Sequence, residues 1–186
     1  MIKSTRAAGA AVLAAALVFA LAACTTDAAE KLPVSSAPAA TPAPPTDPSD
    51  FLNADQMADE YRDAAATFPN DLPPGIEFPS RIPDAYDPAA ASEPGVGESI
   101  ANFYWICAWQ SAFIDAQAVE DSAGEEAALD SLESWKSTDF YQDHYEDPGD
   151  LWTKLMLEPA RAGDATELIA GFESGCGAYR DQNPTP

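Results

Sequence analysis

The chain has 186 residues, of which 46% are hydrophobic, and its 31 acidic and nine basic residues give a formal net charge of −22. From Cys24 onward the imbalance grows, because Lys3 and Arg6 precede that residue and all 31 acidic residues follow it, leaving seven basic residues and a net charge of −24. Nucleic acid and anionic lipid would repel this charge, which excludes both as electrostatic partners and leaves a solvated acidic surface or attraction of a cation or basic partner.

Residues 1–23 have the layout of a secretory signal peptide. Lys3 and Arg6 are followed by an uncharged run, residues 7–23, with an apolar middle and small residues at its end. A transmembrane helix needs about 20 apolar residues, and this run falls short before the polar residues 25–27. We therefore expect a signal peptide, with a membrane span as the alternative that the length disfavours.

The run ends in Leu21, Ala22, Ala23 and Cys24. These four residues resemble the lipobox of bacterial lipoproteins, in which a Leu and two small residues precede an invariant Cys. The resemblance implies that Cys24 is lipidated, that cleavage makes it the first mature residue, and that the protein is anchored in the cell membrane on the extracytoplasmic face. Two acyl chains would hold it stably, since each buried methylene contributes about 0.8 kcal/mol. An ordinary A-x-A cut, giving a soluble secreted protein, is the alternative.

Residues 24–50 are expected to form a disordered tether. Ala, Pro, Thr and Ser dominate this stretch, and Leu32 and Val34 are its branched aliphatic residues. Such a composition cannot bury enough apolar surface to offset the entropy of ordering. The high Ala, Pro and acid content also resembles that of small lipoproteins of high-GC Gram-positive bacteria, a likeness that implies no activity.

Residues 51–182 are expected to form a single all-α domain of about five helices, followed by a disordered tail at 183–186. No period-2 run of β-branched residues occurs, whereas helix signals recur. The first helix is the clearest: Asn53 and Gln56 form a capping box, apolar residues from Met57 to Phe68 follow at helical spacing, and Pro69 ends the run.

A Pro-rich segment, residues 69–91 and hereafter the strap, separates the first two helices. Proline every few residues blocks helix continuation and predicts an extended chain. Large apolar residues such as Leu72 and Phe78 lie between the prolines, so we expect the strap to lie against the domain. A mobile lid or a partner-binding strap is the alternative.

Residues 98–119 are expected to form the central helix. One stripe contains Ile100, Phe103, Tyr104 and Cys107, and a second stripe, nearly opposite, contains Trp105, Trp109 and Phe113. We expect the Cys stripe to face other helices and the Trp stripe to face the strap. The Trp stripe is also the candidate surface for a ligand or partner, because aligned aromatic rings can stack on a sugar or hold a Pro-rich peptide. Core packing is the competing interpretation.

Three further helices are predicted toward the C-terminus. The first follows Gly124 and has a stripe of Ala128, Leu132 and Trp135. A short helix capped by Asp147 and stopped or kinked at Pro159 is expected to bury four side chains: Leu151, Trp152, Leu155 and Met156. The last helix begins at Asp164 and carries its apolar side on Leu168, Phe172, Cys176 and Tyr179.

The cysteine count predicts one disulfide. Lipidation would consume Cys24, and Cys107 and Cys176 remain as an even pair in a chain sent to an oxidising compartment. A bond between them would join the central helix to the last one. Two buried free thiols are the alternative. Neither residue has the nearby cations that lower a thiol pKa, so we interpret the bridge as structural.

Catalytic, metal and cofactor signals are weak. The sequence contains no G-x-S-x-G, H-E-x-x-H or C-x-x-C motif and no phosphate-cradling glycine loop. His144 is the single histidine, which excludes a multi-His zinc site. It could bind a divalent ion together with Asp143, Glu146 and Asp147, although a solvated loop histidine is the simpler interpretation. We predict no catalytic residue, metal ligand or cofactor.

Three functional interpretations follow. The first is a non-catalytic lipoprotein whose helical domain contacts another protein of the cell envelope. The second is a ligand-binding lipoprotein that uses the Trp105, Trp109 and Phe113 surface, with Tyr104 or Trp152 nearby. The third is an enzyme acting on envelope material, for which no pair of carboxylates can be singled out among 31 acidic residues.

Overall fold

The computed structural model describes residues 51–84, 86 and 91–184. The predicted signal peptide, Cys24 and the tether lie outside the described residues, as do the last two residues of the predicted tail. The all-α prediction is confirmed: the described residues contain helices and no β-strand, and a single antiparallel bridge joins Leu52 to Ser92.

Seven α-helices occur in the described region: α1 (Ala54–Ala66), α2 (Val96–Ala118), α3 (Ser122–Ser134), α4 (Asp139–His144), α5 (Glu158–Arg161), α6 (Thr166–Gly175) and α7 (Gly177–Gln182). A 3₁₀ turn, Trp135–Ser137, follows α3, and a π-helical segment, Trp152–Leu157, leads into α5. α2 is the central helix and packs against α1, α3, α6 and α7.

The predicted capping box starts α1. The Asn53 side chain accepts hydrogen bonds from the backbone amides of Asp55 and Gln56, and the Gln56 side chain accepts one from the Asn53 amide at 3.0 Å. Met57 and Tyr61 form its buried face. Local sequence therefore fixes both the start of this helix and the side that it buries.

The start of α2 depends on α1. α2 has no side-chain cap of its own, and the Glu60 carboxylate of α1 accepts bonds from the amides of Gly95 at 2.7 Å and Gly97 at 2.8 Å. A negative charge at this end also suits the helix dipole. A Cβ on Gly97 would lie 2.6 Å from the Met57 carbonyl oxygen and the Tyr61 amide nitrogen. The two helices thus cross in backbone contact at Gly97.

The two stripes of α2 are covered largely as predicted. The Trp stripe faces α3 and the strap, and Cys107 faces the α6–α7 junction. Two details differ. Phe103 is 47% exposed, so the Cys stripe is not covered along its whole length. Tyr104 of the same stripe contacts the strap residues Glu77 and Phe78, so the strap covers part of both stripes.

The α3 boundary differs from the expectation. Gly124 lies inside the helix instead of before it, because Asp121 caps the helix by accepting a bond from the Gly124 amide. The predicted stripe of Ala128, Leu132 and Trp135 is confirmed, and all three side chains are buried.

The segment before Pro159 is only partly as predicted. Asp147 caps it by accepting bonds from the Leu151 and Trp152 amides. Leu151 and Leu155 are 46% and 54% exposed, so their predicted burial is wrong. A proline inside a helix removes a donor and crowds the carbonyl four residues earlier. The wider π turns of Trp152–Leu157 lead to Pro159, and their spacing places Leu155 farther from the side of Trp152 than α-helical spacing would.

The predicted last helix is divided in two. α6 ends at Gly175 and α7 begins at Gly177, with Cys176 between them. The predicted apolar side is confirmed, since Leu168, Cys176 and Tyr179 are buried and Phe172 packs against the disulfide cluster. The break leaves that side continuous because both helices pack on α2.

Candidate functional site

The predicted disulfide is present. Cys107 of α2 and Cys176 at the α6–α7 junction are bonded, with their Cα atoms 5.6 Å apart and a sequence separation of 69. Both are buried beside Tyr104, Ala108 and Tyr179. Closing a loop of this length stabilises the fold by about 4 kcal/mol in the loop-entropy account. Its burial fits a structural bond.

The Trp stripe divides into core and surface. Trp105 and Phe113 have 0% exposure, whereas Trp109 is partly exposed. Both indole N–H groups donate to the same acceptor, the Asp71 carbonyl oxygen, at 2.8 Å from Trp105 and 3.0 Å from Trp109. The candidate ligand surface of the sequence therefore reduces to Trp109, and Tyr104 and Trp152 are buried as well.

Aromatic donors hold the strap between residues 71 and 79. Besides the two indoles on Asp71, the Tyr104 hydroxyl donates to the Glu77 carbonyl at 3.1 Å and the Tyr61 hydroxyl donates to the Pro79 carbonyl at 2.9 Å. Burial raises the pKa of Tyr61 and of Tyr104 above the ordinary tyrosine value. Both hydroxyls consequently keep their protons and remain donors at neutral pH.

A groove of about 530 Å³ opens between the strap and α3. Trp109 forms part of its floor, and Asn70 donates to the Ser134 hydroxyl at 3.2 Å on one side. Its lining is mostly apolar or hydroxylated: Pro69, Asn70, Asp71, Leu72, Pro74, Trp105, Trp109, Ser131 and Ser134. Asp71 is the charged residue of this lining.

A second cleft of about 290 Å³ lies where α1 ends beside α2 and the start of α4. Asn102 lies on its wall and is itself buried. Its side-chain oxygen accepts from the Trp135 indole at 2.9 Å, and its amide donates to the Glu98 carbonyl at 3.1 Å. Asn102 thus has structural partners for both ends of its side chain.

An aromatic cluster surrounds Trp135, and the sequence pattern did not predict it. The Tyr141, Tyr145 and Trp152 rings lie with centroids 5.0, 4.9 and 5.5 Å from that of Trp135. The Tyr141 hydroxyl donates to Asp147 at 2.6 Å. Burial, and then this bond, raises the pKa of Tyr141. Aromatic residues are frequent between positions 135 and 152, which could have indicated a cluster. Because short helices and turns connect them, no regular spacing predicts that their side chains meet.

An apolar surface lies beside this cluster. Leu151 and Leu155, four residues apart, are exposed at the segment that packs through Trp152 against Trp135. Tyr145 on the same cluster is also exposed, at 38%. We call these three side chains the Leu151 patch. Contiguous groups of exposed apolar side chains are typical of contact surfaces between proteins.

The acidic residues around His144 do not form a site. His144 is exposed at the end of α4, with its ring 5.4 Å from that of Phe140, and Asp147 is occupied by capping and by Tyr141. Within the described residues, no group of three or more His, Cys, Asp or Glu side chains is placed to hold a metal ion.

The basic residues of α5 and the 3₁₀ turn serve in ion pairs. Arg161 contacts Asp130 at 2.7 Å and Glu133 at 2.9 Å, which joins α5 to α3. Lys136 contacts Asp150 at 2.6 Å and the Thr153 hydroxyl at 3.0 Å. Its hydrogen bond is the main cause that holds the pKa of Asp150 below the ordinary carboxyl value. These contacts join neighbouring elements and fix local structure.

Among the described residues, none of the helices combines the length and the apolar character needed to cross a membrane. Comparison with models of known protein families, with curated proteins and with solved structures gave no match to this chain.

Proposed function

We propose that this protein is a bacterial lipoprotein, anchored through lipidated Cys24 on the extracytoplasmic face of the cell membrane, and that its helical domain is a non-catalytic interaction domain. The domain contacts another protein of the cell envelope. This proposal has two parts: a cellular location with a lipid anchor, inferred from the sequence of residues 1–50, and a role for the helical domain.

The Cys107–Cys176 disulfide is the observation that supports the proposed location outside the cytoplasm. The sequence has three cysteines, and this bond uses two of them. A disulfide favours an oxidising compartment outside the cytoplasm. Cys24 is then the odd cysteine of an exported chain, which calls for an intermolecular bond or a modification. The preceding Leu21, Ala22 and Ala23 favour lipidation.

The surface of the domain supports the interaction role. On the walls of the two clefts described above, the side chains of Asn70 and Asn102 have structural partners. The Leu151 patch, in contrast, leaves apolar side chains exposed. A partner protein that covers this patch would remove apolar area from water, at about 25 cal/mol for each Å².

Intact mass measurement tests the proposed lipidation of Cys24. The protein, extracted from its own membrane with mild detergent, is expected to begin at Cys24, to carry a diacylglyceryl group and to lack the two hydrogens of the disulfide. Cys24→Ala is expected to lose the lipid and to move to the aqueous phase in detergent partitioning. A wild-type chain that is cleaved elsewhere and carries no lipid would show that the proposed lipid anchor is wrong.

Cross-linking in intact cells tests the interaction role. A photoreactive residue at Glu158, an exposed position three residues after Leu155, is expected to give one discrete adduct with an envelope protein. The double variant Leu151→Ser and Leu155→Ser should abolish this adduct, and Val119→Ser, which changes a 73% exposed residue elsewhere, should retain it. An adduct that survives loss of both leucines would contradict the assignment of the partner surface.

A further inference from the structure

We infer that the partner segment covering the Leu151 patch is basic and presents apolar side chains between Lys or Arg residues, which rests on the proposed function. Exposed carboxylates without cationic partners lie beside the apolar side chains of the patch. A segment of this chemistry would bury apolar area at the centre and meet opposite charge at the border. An acidic segment would meet repulsion at the same border.

The apolar centre of the patch rests on a buried aromatic base. The Tyr145 and Trp152 rings both contact Trp135, at centroid distances of 4.9 and 5.5 Å. Leu151 directly precedes Trp152 in sequence, and Leu155 follows Trp152 by three residues. The three exposed side chains are thus attached to one aromatic cluster. Anchoring of this kind lowers the ordering cost of binding a partner.

Exposed carboxylates border this centre. Asp143 lies two residues before Tyr145, and Glu146 follows Tyr145 directly. Glu158 lies three residues after Leu155, and all three carboxylate side chains are exposed. Among the described residues, none of these three carboxylates forms an ion pair. Their charge is therefore available to a partner.

The neighbouring cations are engaged within the domain. Lys136 contacts Asp150 at 2.6 Å, and Lys154 donates to the Gly149 carbonyl oxygen at 2.6 Å. Arg161 is paired with two carboxylates of α3. The three unpaired carboxylates outnumber Lys154, so the border of the patch is acidic. The net charge of −22 on the whole chain adds long-range attraction for a basic partner.

The centre and the border of such a surface act on different steps of binding. Charges at the border stay in contact with water, and they change mainly the rate of association and the choice of partner. Differences in apolar contact appear mainly in the rate of dissociation. Loss of the carboxylates should therefore slow association, and loss of the leucines should speed dissociation.

A labelled amphipathic peptide of Leu and Lys tests this chemistry on the full chain, with the matched peptide of Leu and Glu as its control. Stopped-flow fluorescence anisotropy gives the association and dissociation rate constants. The Leu–Lys peptide is expected to bind, and the Leu–Glu peptide is not. Raising NaCl from about 0.05 M to about 0.5 M should slow association by about tenfold. Absence of Leu–Lys binding, or equal binding of both peptides, would overturn the inference.

The leucines separate docking on the patch from attraction to the acidic surface as a whole. The double variant Leu151→Ser and Leu155→Ser keeps every charge and should speed dissociation of the Leu–Lys peptide by about tenfold. A peptide that leaves this variant as slowly as it leaves the wild type is held elsewhere, which would refute docking on the patch.

The carboxylates have a matched pair of control variants. Asp143→Asn with Glu146→Gln should slow association of the Leu–Lys peptide by about threefold at low salt. Glu93→Gln with Asp181→Asn removes two exposed carboxylates before α2 and in α7 and should slow it less. Equal effects of the two pairs would show that total charge, and not the border of the patch, selects the peptide.

Sedimentation of the full chain tests a second copy as the occupant. Copies that each carry a net charge of −22 repel one another, so the chain is expected to sediment as a monomer. A dimer that disappears in the Leu151→Ser and Leu155→Ser variant would show that the patch binds itself and would overturn the basic partner.

The cross-link in cells and the peptide titration can fail separately. A leucine-dependent adduct in cells without Leu–Lys binding would overturn the basic chemistry of the partner and leave the interaction role intact. Leu–Lys binding that requires the leucines, without an adduct in cells, would contradict the interaction role while supporting the binding chemistry of the patch.

Discussion

Gly97→Ala is expected to destabilise the domain by separating α1 from α2. The new Cβ would lie 2.6 Å from two backbone atoms, the Met57 carbonyl oxygen and the Tyr61 amide nitrogen. Neither atom belongs to a flexible side chain, so a helix has to move. Overpacking of a tight contact costs about 1–3 kcal/mol, occasionally more, and alanine recovers up to about 1 kcal/mol of helix propensity.

The contact at Gly97 is with backbone, so we place the steric cost at the upper end of that range and expect a net loss of about 2 kcal/mol. Urea unfolding followed by far-UV circular dichroism measures it. With a slope of about 2 kcal/mol per M, the midpoint should fall by about 1 M at unchanged slope.

Gly177→Ala is the matched control. Gly177, like Gly97, lies in the first turn of a helix, but a Cβ there would meet no atom within 4 Å. Its stability should stay the same or rise by less than about 1 kcal/mol. If Gly97→Ala behaves like Gly177→Ala, the backbone contact between α1 and α2 is wrong.

Three further predictions concern single polar contacts. Glu60→Ala should lower the free energy of unfolding in urea by about 1–2 kcal/mol, because two amides at the start of α2 lose a charged acceptor. Asn102→Ala should cost a similar amount by leaving the buried Trp135 indole N–H without its acceptor, measured in the same assay. Asp150→Asn should be pH-dependent: Lys136 lowers the pKa of Asp150, so the wild type's advantage holds above about pH 5 and is lost as pH falls below about 4.

Each of these three has a matched comparison. Glu60→Gln keeps one acceptor oxygen and should lose less stability than Glu60→Ala. The cost of Asn102→Ala should shrink in a Trp135→Phe background, which has no indole N–H to satisfy. The pH dependence of the Asp150→Asn effect should shrink in a Lys136→Met background, where Thr153 still lowers the pKa of Asp150, and asparagine tolerates the positive φ of 61° at this position. Additive effects in the two backgrounds would refute the corresponding contacts.

Features that depend on neighbours in sequence could be predicted directly. The capping box at Asn53 joins residues three apart, and helical periodicity placed Ala128, Leu132 and Trp135 on one buried face. The disulfide was predictable for a different reason: the predicted lipidation of Cys24 left a single possible pair, Cys107 and Cys176. The lipid anchor at Cys24 remains a prediction, since that residue lies outside the described part of the chain.

Features that depend on distant contacts could not be predicted. The Glu60 side chain caps a helix that begins 36 residues later, and no local sequence pattern predicts a capping residue so far away. Leu155 fits a buried α-helical stripe with Trp152, but the π turns before Pro159 change the spacing on which that inference rests.

For the candidate site, the sequence by itself determined that Trp105, Trp109 and Phe113 share one side of a helix, because that follows from 100° per residue. It also determined that the prolines keep the strap out of a helix. Only the tertiary structure decided that Trp105 and Phe113 are buried and Trp109 borders an open groove. The reason is physical: exposure depends on where the strap and α3 cross that face, and the approach of two segments distant in sequence is set by the packing of the whole domain.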